Sequence, residues 1–363
     1  MRGSHRAWLA AAALVAAAVA SGCGEPEGAC IPRSGTSEPP DSLAEWCMLS
    51  LEQGRVAFSE GVEPFELNTP LFSDGATKFR TFWMPPGSAA RYPADGGVLE
   101  FPEGTVLTKS FAFPPDPLQD GGTVRFIETR VEWLSGGTWR AVSYRWNDAQ
   151  TEARVSYAGE VVPLTFVDGE GVVQSAHYLV PSQQQCRQCH QDGDHLLPLG
   201  PKPRNLNREV ASQPSGGGNQ LRAWAAKGEL VGLPAEQDIP RLPVWSDPAT
   251  GSLAERARAY LDVNCSHCHR KGGEAENTGL VLTLEQDPSY HLGICKQPGG
   301  TGPGPGGRPW EIDPGHPESS AVVYRMSSTT PGTAMPQIGR SLVDSEGVAL
   351  VAGWIAQLPG GCP

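Results

Sequence analysis

The chain has 363 residues and a mass of 38.6 kDa, a length that predicts two or three domains. Hydrophobic residues make up 39% and charged residues 19% of the chain, which excludes a wholly disordered protein. The 28 basic residues are outnumbered by 40 acidic ones, and the net charge of -12 argues against a nucleic-acid-binding protein, which needs a cationic face. An acidic surface instead suits a protein that meets a partly basic partner.

The N-terminus has the pattern of an export signal. A short cationic start precedes an apolar run over residues 7–20, which is shorter than a typical membrane span. The sequence Ala20-Ser21-Gly22-Cys23 then resembles a bacterial lipoprotein processing site, where the cysteine is lipidated. We expect residues 1–22 to be the signal peptide and Cys23 to anchor the protein to a membrane, facing the periplasm. An ordinary cleaved signal is the alternative.

Residues 23–43 are rich in Gly, Pro, Ser and Glu and predict a flexible tether, whereas residues 44–178 predict a β-rich domain. The segments Ile127–Trp133 and Thr138–Asn147 alternate in polarity around Gly136-Gly137, which favours a hairpin. Docking or scaffolding is the default role for this domain. Further predicted strands are Phe79–Met84, Val106–Phe113 and Val161–Val167. The tryptophans that we expect to pack in the core and the hairpins are Trp83, Trp133, Trp139 and Trp146.

Two C-x-x-C-H motifs carry the functional prediction. The first motif is Cys186-Arg187-Gln188-Cys189-His190, and the second motif is Cys265-Ser266-His267-Cys268-His269. In this pattern the two thiols bond to the haem vinyl groups and the following imidazole ligates the iron. A zinc site or a redox dithiol could share part of the pattern. Two copies in an exported chain favour two covalently attached haem c groups, with His190 and His269 as iron ligands.

The surroundings of the second motif are typical of a small cytochrome c domain. A capping box at Ser252–Glu255 starts a helix that runs into the motif, and Ser341 and Asp344 can cap a final helix. Met335 lies in the loop before that final helix and is the expected second axial ligand, with Met326 as the rival. We also consider Arg325 as a partner of a haem propionate.

The first motif is less complete, because no methionine lies between Cys189 and Cys265. Its iron would therefore take a histidine, a ligand from another segment, or keep an open position. A Gly-Pro turn at Gly200-Pro201 and a helix over Asn219–Lys227 are also expected. The candidate distal ligands are His195, His177, Met326 and Met84.

Four cysteines remain after one is lipidated and four are bonded to haem. An even remainder in an oxidising compartment predicts two disulfides. The order of the chain favours Cys30–Cys47 and Cys295–Cys362, and the other pairings stay open.

Over residues 42–358 the chain resembles a family of bacterial dihaem c-type cytochromes, most of them without an assigned function, that place a β-rich region before the haem modules. The resemblance implies haem at both motifs and Met335 as a distal ligand, and it implies no known substrate. It predicts a multi-domain protein, with the β-rich domain followed by mainly α, cytochrome c-like haem domains at residues 179–247 and 248–363. It rests on Leu67–Asp74, Trp83–Gly87, Ile127–Arg130, Tyr144–Asn147, Gly200–Asn207, Leu292–Lys296, Pro314–Met326 and Met335-Pro336.

The function expected from these features is one-electron transfer outside the cytoplasm by a membrane-anchored dihaem c-type cytochrome, between a periplasmic donor and an acceptor. The alternative is a dihaem peroxidase-like or other haem oxidoreductase that uses an open position on the first haem. An electron carrier is favoured over an enzyme, because the motifs lie close together in the chain and no acid or base marks a peroxide pocket.

Overall fold

The computed structural model describes residues 30–33, 36–52, 55–114, 124–211, 217–299 and 304–363. The predicted signal peptide and Cys23 lie outside the described residues. The chain divides into two units, Met1–Cys30 and Ile31–Pro363, and the elements below belong to the second. In the described ranges, no helix combines the length and the apolar character that a bilayer crossing requires.

The second unit contains short strands and short helices in chain order. The strands of the described residues are β1 (Leu49–Glu52), β2 (Arg55–Phe58), β3 (Glu63–Pro64), β4 (Thr77–Trp83), β5 (Ala90–Arg91), β6 (Val106–Phe113), β7 (Arg125–Ser135), β8 (Thr138–Trp146), β9 (Ala153–Ser156), β10 (Glu160–Val167), β11 (Val173–Val180), β12 (Gln191–Asp192), β13 (His195–Leu196), β14 (Glu209–Val210), β15 (Gly218–Asn219) and β16 (Leu230–Val231). The α-helices are α1 (Gln183–His190), α2 (Pro203–Leu206), α3 (Gln220–Lys227), α4 (Leu253–Asn264), α5 (Ala321–Met326) and α6 (Ser345–Gln357).

A six-stranded antiparallel sheet, ordered β3-β4-β6-β7-β8-β9, forms the body of the β-rich region. Its predicted central hairpin is confirmed: β7 and β8 pair with Val131 opposite Val142. Gly136 and Gly137 join them with φ values of 63° and 70°, a left-handed conformation that suits glycine. One face of this sheet buries Trp46, Trp83, Trp133 and Trp146 in one apolar cluster, which confirms the core role predicted for three of these tryptophans.

The opposite face of the sheet is apolar at its two ends and cationic between them. At one end Phe82 and Leu107 join a cluster with α3, and at the other Phe111 packs against the β10–β11 hairpin. Between these clusters lie the side chains of Arg80 and Lys109, which are opposite each other on β4 and β6. This face turns toward the first motif.

Residues 36–42, within the segment predicted as a tether, lie against the sheet. The Trp133 indole donates to the Thr36 carbonyl over 2.8 Å, and the Tyr144 hydroxyl donates to the Pro40 carbonyl over 2.7 Å. These bonds satisfy the polar ends of two buried aromatic side chains.

The prediction of mainly α, cytochrome c-like haem domains is wrong. Helix accounts for 23% and strand for 26% of the structure, and the longest of the described helices, α6, has 13 residues. Gly and Pro, which number 44 and 34 over the whole chain, break the second half into turns. That half also packs into the β-rich region, because β16 pairs with β5 and Trp224 shares a core with Phe82.

Two predicted helices of the second half are present and pack together. The capping box of α4 at Ser252 and Glu255 is confirmed. Its Tyr260 side chain donates a 2.9 Å hydrogen bond to Asp344, which caps α6. The Cys295–Cys362 disulfide is confirmed, and Cys30 and Cys47 are both disulfide-bonded.

Candidate functional site

The first motif forms most of α1. Ser182 caps this helix by accepting from the Gln185 amide over 3.2 Å, in a capping box that also uses the Gln185 side chain. Cys186 on the next turn is buried, and burial raises the pKa of its thiol to about 11. The helix thus fixes Cys186 and Cys189 one turn apart on a short, well-capped element.

His190, the last residue of α1, has one of its two ring nitrogens engaged. Its Nδ1 is 2.9 Å from the Leu197 carbonyl and 3.2 Å from a carboxylate oxygen of Glu132. A histidine that donates from Nδ1 to a carbonyl presents Nε2 as the free nitrogen, which is the usual arrangement of a metal-ligating imidazole. The contact is therefore compatible with the predicted iron ligand.

The second motif begins where α4 ends. Backbone amides of Cys265 and His269 continue the helical bonding, to the carbonyls of Leu261 and Cys265 over 2.9 and 3.0 Å. Burial raises the pKa of the Cys265 thiol to about 12. Burial, with the Arg325 charge nearby, lowers the pKa of His269 to about 4, so its imidazole is neutral at physiological pH.

The two motifs are in direct contact. Ligand atoms of Cys189, His267 and Cys268 all lie within 4.8 Å of one another. The Cys268 thiol also donates to the Gln188 carbonyl over 3.4 Å. Arg270, just after the second motif, binds the Asp192 carboxylate and donates to the Gln191 carbonyl over 2.9 Å. The motifs are thus held together by side chains on both sides of the cysteines.

The contact differentiates the thiols. The neighbouring Cys268 thiol, together with His267, lowers the pKa of Cys189. The same contact raises the pKa of Cys268. Two thiols and an imidazole can also hold a metal ion such as Zn²⁺, although a structural zinc site takes four protein ligands.

A cavity of about 800 Å³ lies between the first motif and the cationic face of the sheet. His190 and His267 line it on one side, and Arg80, Lys109 and Arg130 line it on the other. The volume falls within the range of roughly 300–1,000 Å³ that is usual for ligand and cofactor sites. The space beside His190 is therefore large enough for a porphyrin-sized group, whereas Cys186 and Cys189 do not line this cavity.

A smaller cavity of about 80 Å³ lies beside the second motif. Cys265, Met326 and Met335 line it, and so do Cys186 and Cys189 of the first motif. The donor set suits an iron porphyrin, since it combines thiols with thioethers. The volume is well below the range of cofactor sites, so a porphyrin there requires the lining side chains to move apart.

The loop that carries Met335 is tied down on two sides. The Met335 amide donates to the Arg325 carbonyl over 3.0 Å, and Arg340 donates to the Met335 carbonyl over 2.8 Å. The buried carboxylate of Asp74 then accepts from the amides of Ser341 and Leu342. The β-rich region thereby fixes the end of this loop.

Some of the predicted site residues line the two cavities, and others do not. His269 and Arg325 line neither cavity, although they lie close enough to interact electrostatically. Of the candidate distal ligands of the first motif, exposed His195 lines the larger cavity and Met326 the smaller one, whereas exposed His177 and buried Met84 line neither. Arg325 instead donates to the Thr333 carbonyl over 3.0 Å.

Several site residues were missed by the sequence analysis. The C-x-x-C-H pattern assigns no role to His267, which lies between the two cysteines of the second motif. His267 is nevertheless 8% exposed, lines both cavities and has no partner for Nδ1 among the described residues. The strand residues Arg80, Lys109 and Arg130 were also missed. Only Lys109 has a clear signal in the sequence, because it lies between apolar Leu107 and Phe111 on one face of β6. Arg80 shares its face of β4 with Lys78, and Arg130 shares its face of β7 with Glu128 and Glu132.

Comparison with known proteins adds no relative: no family model, curated protein or solved structure matches the chain.

Proposed function

We propose that the protein is a dihaem c-type cytochrome that transfers single electrons outside the cytoplasm. The observation that supports this most is the meeting of the two motifs, where Cys189 and Cys268 lie within 4.8 Å. If each cysteine carries a thioether bond to its own haem, the two attachment points are neighbours. Such an arrangement favours rapid electron exchange within one chain.

The residues at the first motif have separate roles in this proposal. Cys186 and Cys189 would hold a haem covalently, and Nε2 of His190 would ligate its iron. The haem supplies a one-electron couple between ferric and ferrous iron. The Leu197 carbonyl and Glu132 orient His190 through Nδ1, which fixes the ring for ligation.

At the second motif, Cys265 and Cys268 would hold the other haem, and His269 and Met335 would ligate its iron. Burial keeps His269 neutral, which is the ligating form of imidazole. The hydrogen bonds from Met335 and Arg340 keep the methionine loop against the cavity that Cys265 lines. A thioether ligand raises the reduction potential of haem iron, so we expect the second haem to accept electrons from the first.

The cellular setting is part of the same proposal. Cys23 would carry the lipid anchor in the membrane of an exported protein, and the chain would receive and deliver electrons through periplasmic redox proteins. The net charge of -12 favours partners with a basic docking face, because complementary charge accelerates association.

The experiment that tests the proposal measures electron transfer between the two motifs. Full-length protein matured in a host with cytochrome c assembly is reduced by a substoichiometric pulse of a one-electron donor, and the spectra are followed in time. We expect a fast phase, then an intramolecular phase whose rate does not depend on protein concentration. The Cys186→Ala/Cys189→Ala variant should lose the intramolecular phase and keep one haem. A concentration-dependent second phase in the parent protein contradicts the proposal.

A second candidate function is an oxidation, such as peroxide turnover, at an open position of the first haem. It is favoured by one observation: the described residues that line the 800 Å³ cavity beside His190 include no methionine. In that case the ferric protein would contain a high-spin haem, and the signal would disappear in the Cys186→Ala/Cys189→Ala variant. Two low-spin haems without peroxide turnover would rule this candidate out.

A further inference from the structure

Three cations form a row across the sheet, on the face that turns toward the larger cavity. Arg80 on β4 is directly opposite Lys109 on β6, and Lys109 is directly opposite Arg130 on β7. All three side chains line the 800 Å³ cavity. Neighbouring strands are about 4.8 Å apart, and like charges at directly opposed positions repel one another. A row of this kind needs a counter-charge to be stable.

Among the described residues, only one of the three cations forms an ion pair with a carboxylate. The Arg130 guanidinium donates to the buried carboxylate of Glu128 over 3.0 Å. Arg80 and Lys109 have no ion pair with any carboxylate that the structure describes. Arg80 is 9% exposed and its buried Nη2 atom lacks a hydrogen-bond partner there. Burial beside the other cations lowers the pKa of Lys109, which is the electrostatic cost of leaving this ammonium unpaired.

The carboxylates that line the cavity do not form ion pairs with Arg80 or Lys109, because several of them bind other side chains. Glu132 contacts His190, and the structure pairs Asp262 with Arg204 over 2.9 Å. Asp192 binds Arg270. The cavity therefore presents two cations without an ion pair to the described residues, although Glu66 and Glu132 act on them at longer range and the Lys109 ammonium lies 4.9 Å from the centroid of the Phe111 ring.

We propose that Arg80 and Lys109, with Arg130 beside them, form a binding site for an organic carboxylate in the larger cavity. The planar guanidinium of Arg80 suits a bidentate carboxylate, and Lys109 adds a second donor next to it. Phe65, Leu67 and Leu107 line the same cavity, so the ligand carries an apolar body behind its carboxylate. A hydrated inorganic anion would leave those apolar side chains without a partner.

Two sources of that carboxylate fit the cavity. One is a propionate of a haem attached at Cys186 and Cys189, which deepens the proposed function and rests on it. Arg130 interacts electrostatically with Cys186, so the row extends from the first motif into the cavity. The other source is a free organic acid that enters the cavity. The site is the same in both cases.

The test compares the parent chain with an Arg80→Gln/Lys109→Gln variant in haem-loaded, full-length protein. The matched control is Lys78→Gln. Lys78 lies on the same face of β4, but its ammonium donates to the Ala76 carbonyl over 3.3 Å and lines neither cavity. The readouts are the reduction potentials of both haems and calorimetric titration with butyrate as the carboxylate probe.

If a haem propionate occupies the site, we expect the double variant to lower one of the two reduction potentials, because two positive charges beside that haem are lost. Lys78→Gln should shift the potentials much less than the double variant, because Lys78 interacts with Lys109 but does not line the cavity, and butyrate should not bind. If a free acid occupies the site, butyrate should bind to the parent and to Lys78→Gln, and at least tenfold more weakly to the double variant. Unchanged potentials together with no butyrate binding by the parent would overturn the proposal.

Two further samples distinguish a loss of the binding site from a failure to fold or to attach haem. If the double variant does not fold, Lys109→Gln alone and the charge-retaining Lys109→Arg replace it, and only the first should change the readouts. If the parent chain carries no haem, the proposed function fails, and the butyrate titration of that haem-free chain still decides the site. Absence of binding to it would overturn the site as well.

Discussion

The sulfur atoms of Cys189 and Cys268 lie within 4.8 Å of each other, and this contact joins the two C-x-x-C-H motifs. The contact separates the chemistry of the four motif cysteines. It favours the thiolate of Cys189, whereas burial raises the pKa of Cys186 to about 11 and that of Cys265 to about 12. The relative rates at which these cysteines react with an alkylating reagent therefore test this contact.

We expect Cys189 to react first with iodoacetamide in chain produced without haem attachment. The thiolate is the nucleophile, so at pH 7 Cys189 should be alkylated roughly 100-fold faster than Cys265. Between pH 6 and 8 its rate should change little, because a lowered pKa leaves it ionised throughout. The rate of Cys186 should rise about tenfold per pH unit, because its raised pKa lies above that window.

Mass spectrometry of quenched samples measures these rates. The Cys268→Ala variant removes the neighbouring thiol that lowers the pKa of Cys189 and should slow the alkylation of Cys189 at pH 7. Equal rates for Cys189 in the parent and in this variant would show that the two thiols do not interact.

Met335→Ala should abolish the weak long-wavelength ferric band that accompanies a methionine axial ligand in the haem-loaded protein. Met326→Ala is the matched control, because Met326 lines the same 80 Å³ cavity and should be a packing residue. Optical spectroscopy of both ferric variants makes the comparison. A band that survives in Met335→Ala and disappears in Met326→Ala would assign the ligand to Met326.

Asp74→Ala should destabilise the protein and loosen the methionine loop. The Asp74 carboxylate is 1% exposed and accepts from the Ser341 amide over 2.7 Å and from the Leu342 amide over 2.8 Å. Leaving these donors without a partner costs roughly 1–3 kcal/mol in the free energy of unfolding. Denaturant unfolding measures the loss, and Asp238→Ala, at an exposed carboxylate, serves as the control. A variant as stable as the parent would show that the anchor is unimportant.

Two helix glycines of α6 should respond in opposite directions to alanine. A Cβ at Gly347 would lie 2.4 Å from the Tyr260 ring, so Gly347→Ala should push α6 away from α4 and cost about 1–3 kcal/mol. A Cβ at Gly353 would meet Leu253 at an ordinary 3.7 Å. Gly353→Ala should therefore be neutral or stabilise the helix by up to about 1 kcal/mol. Thermal unfolding of both variants decides whether α4 and α6 pack as described.

Local sequence patterns predicted local structure well. The alternation of Ile127–Trp133 and the Gly136-Gly137 turn predicted a hairpin that is present, since strand period and turn chemistry depend on neighbouring residues alone. The capping box before α4 was predicted for the same reason.

Long-range features were not predicted in this way. The mainly α haem domains were inferred from a resemblance, and the short helices instead pack against strands far away in sequence, as Trp224 does against Phe82. The contact between Cys189 and Cys268 and the row of cations likewise depend on strand register and on how distant segments of the chain come together. Alternation assigns each strand residue to a face, whereas the alignment of Arg80 with Lys109 requires the pairing of two strands.

The most direct test of the central claim is the intact mass of the full-length protein matured in a host with cytochrome c assembly, together with its visible spectrum. We predict a red protein whose mass exceeds that of the processed polypeptide by two haems. Cys186→Ala/Cys189→Ala and Cys265→Ala/Cys268→Ala should each carry one haem. A colourless chain at the polypeptide mass, or one that holds zinc through Cys189, His267 and Cys268, would contradict the account.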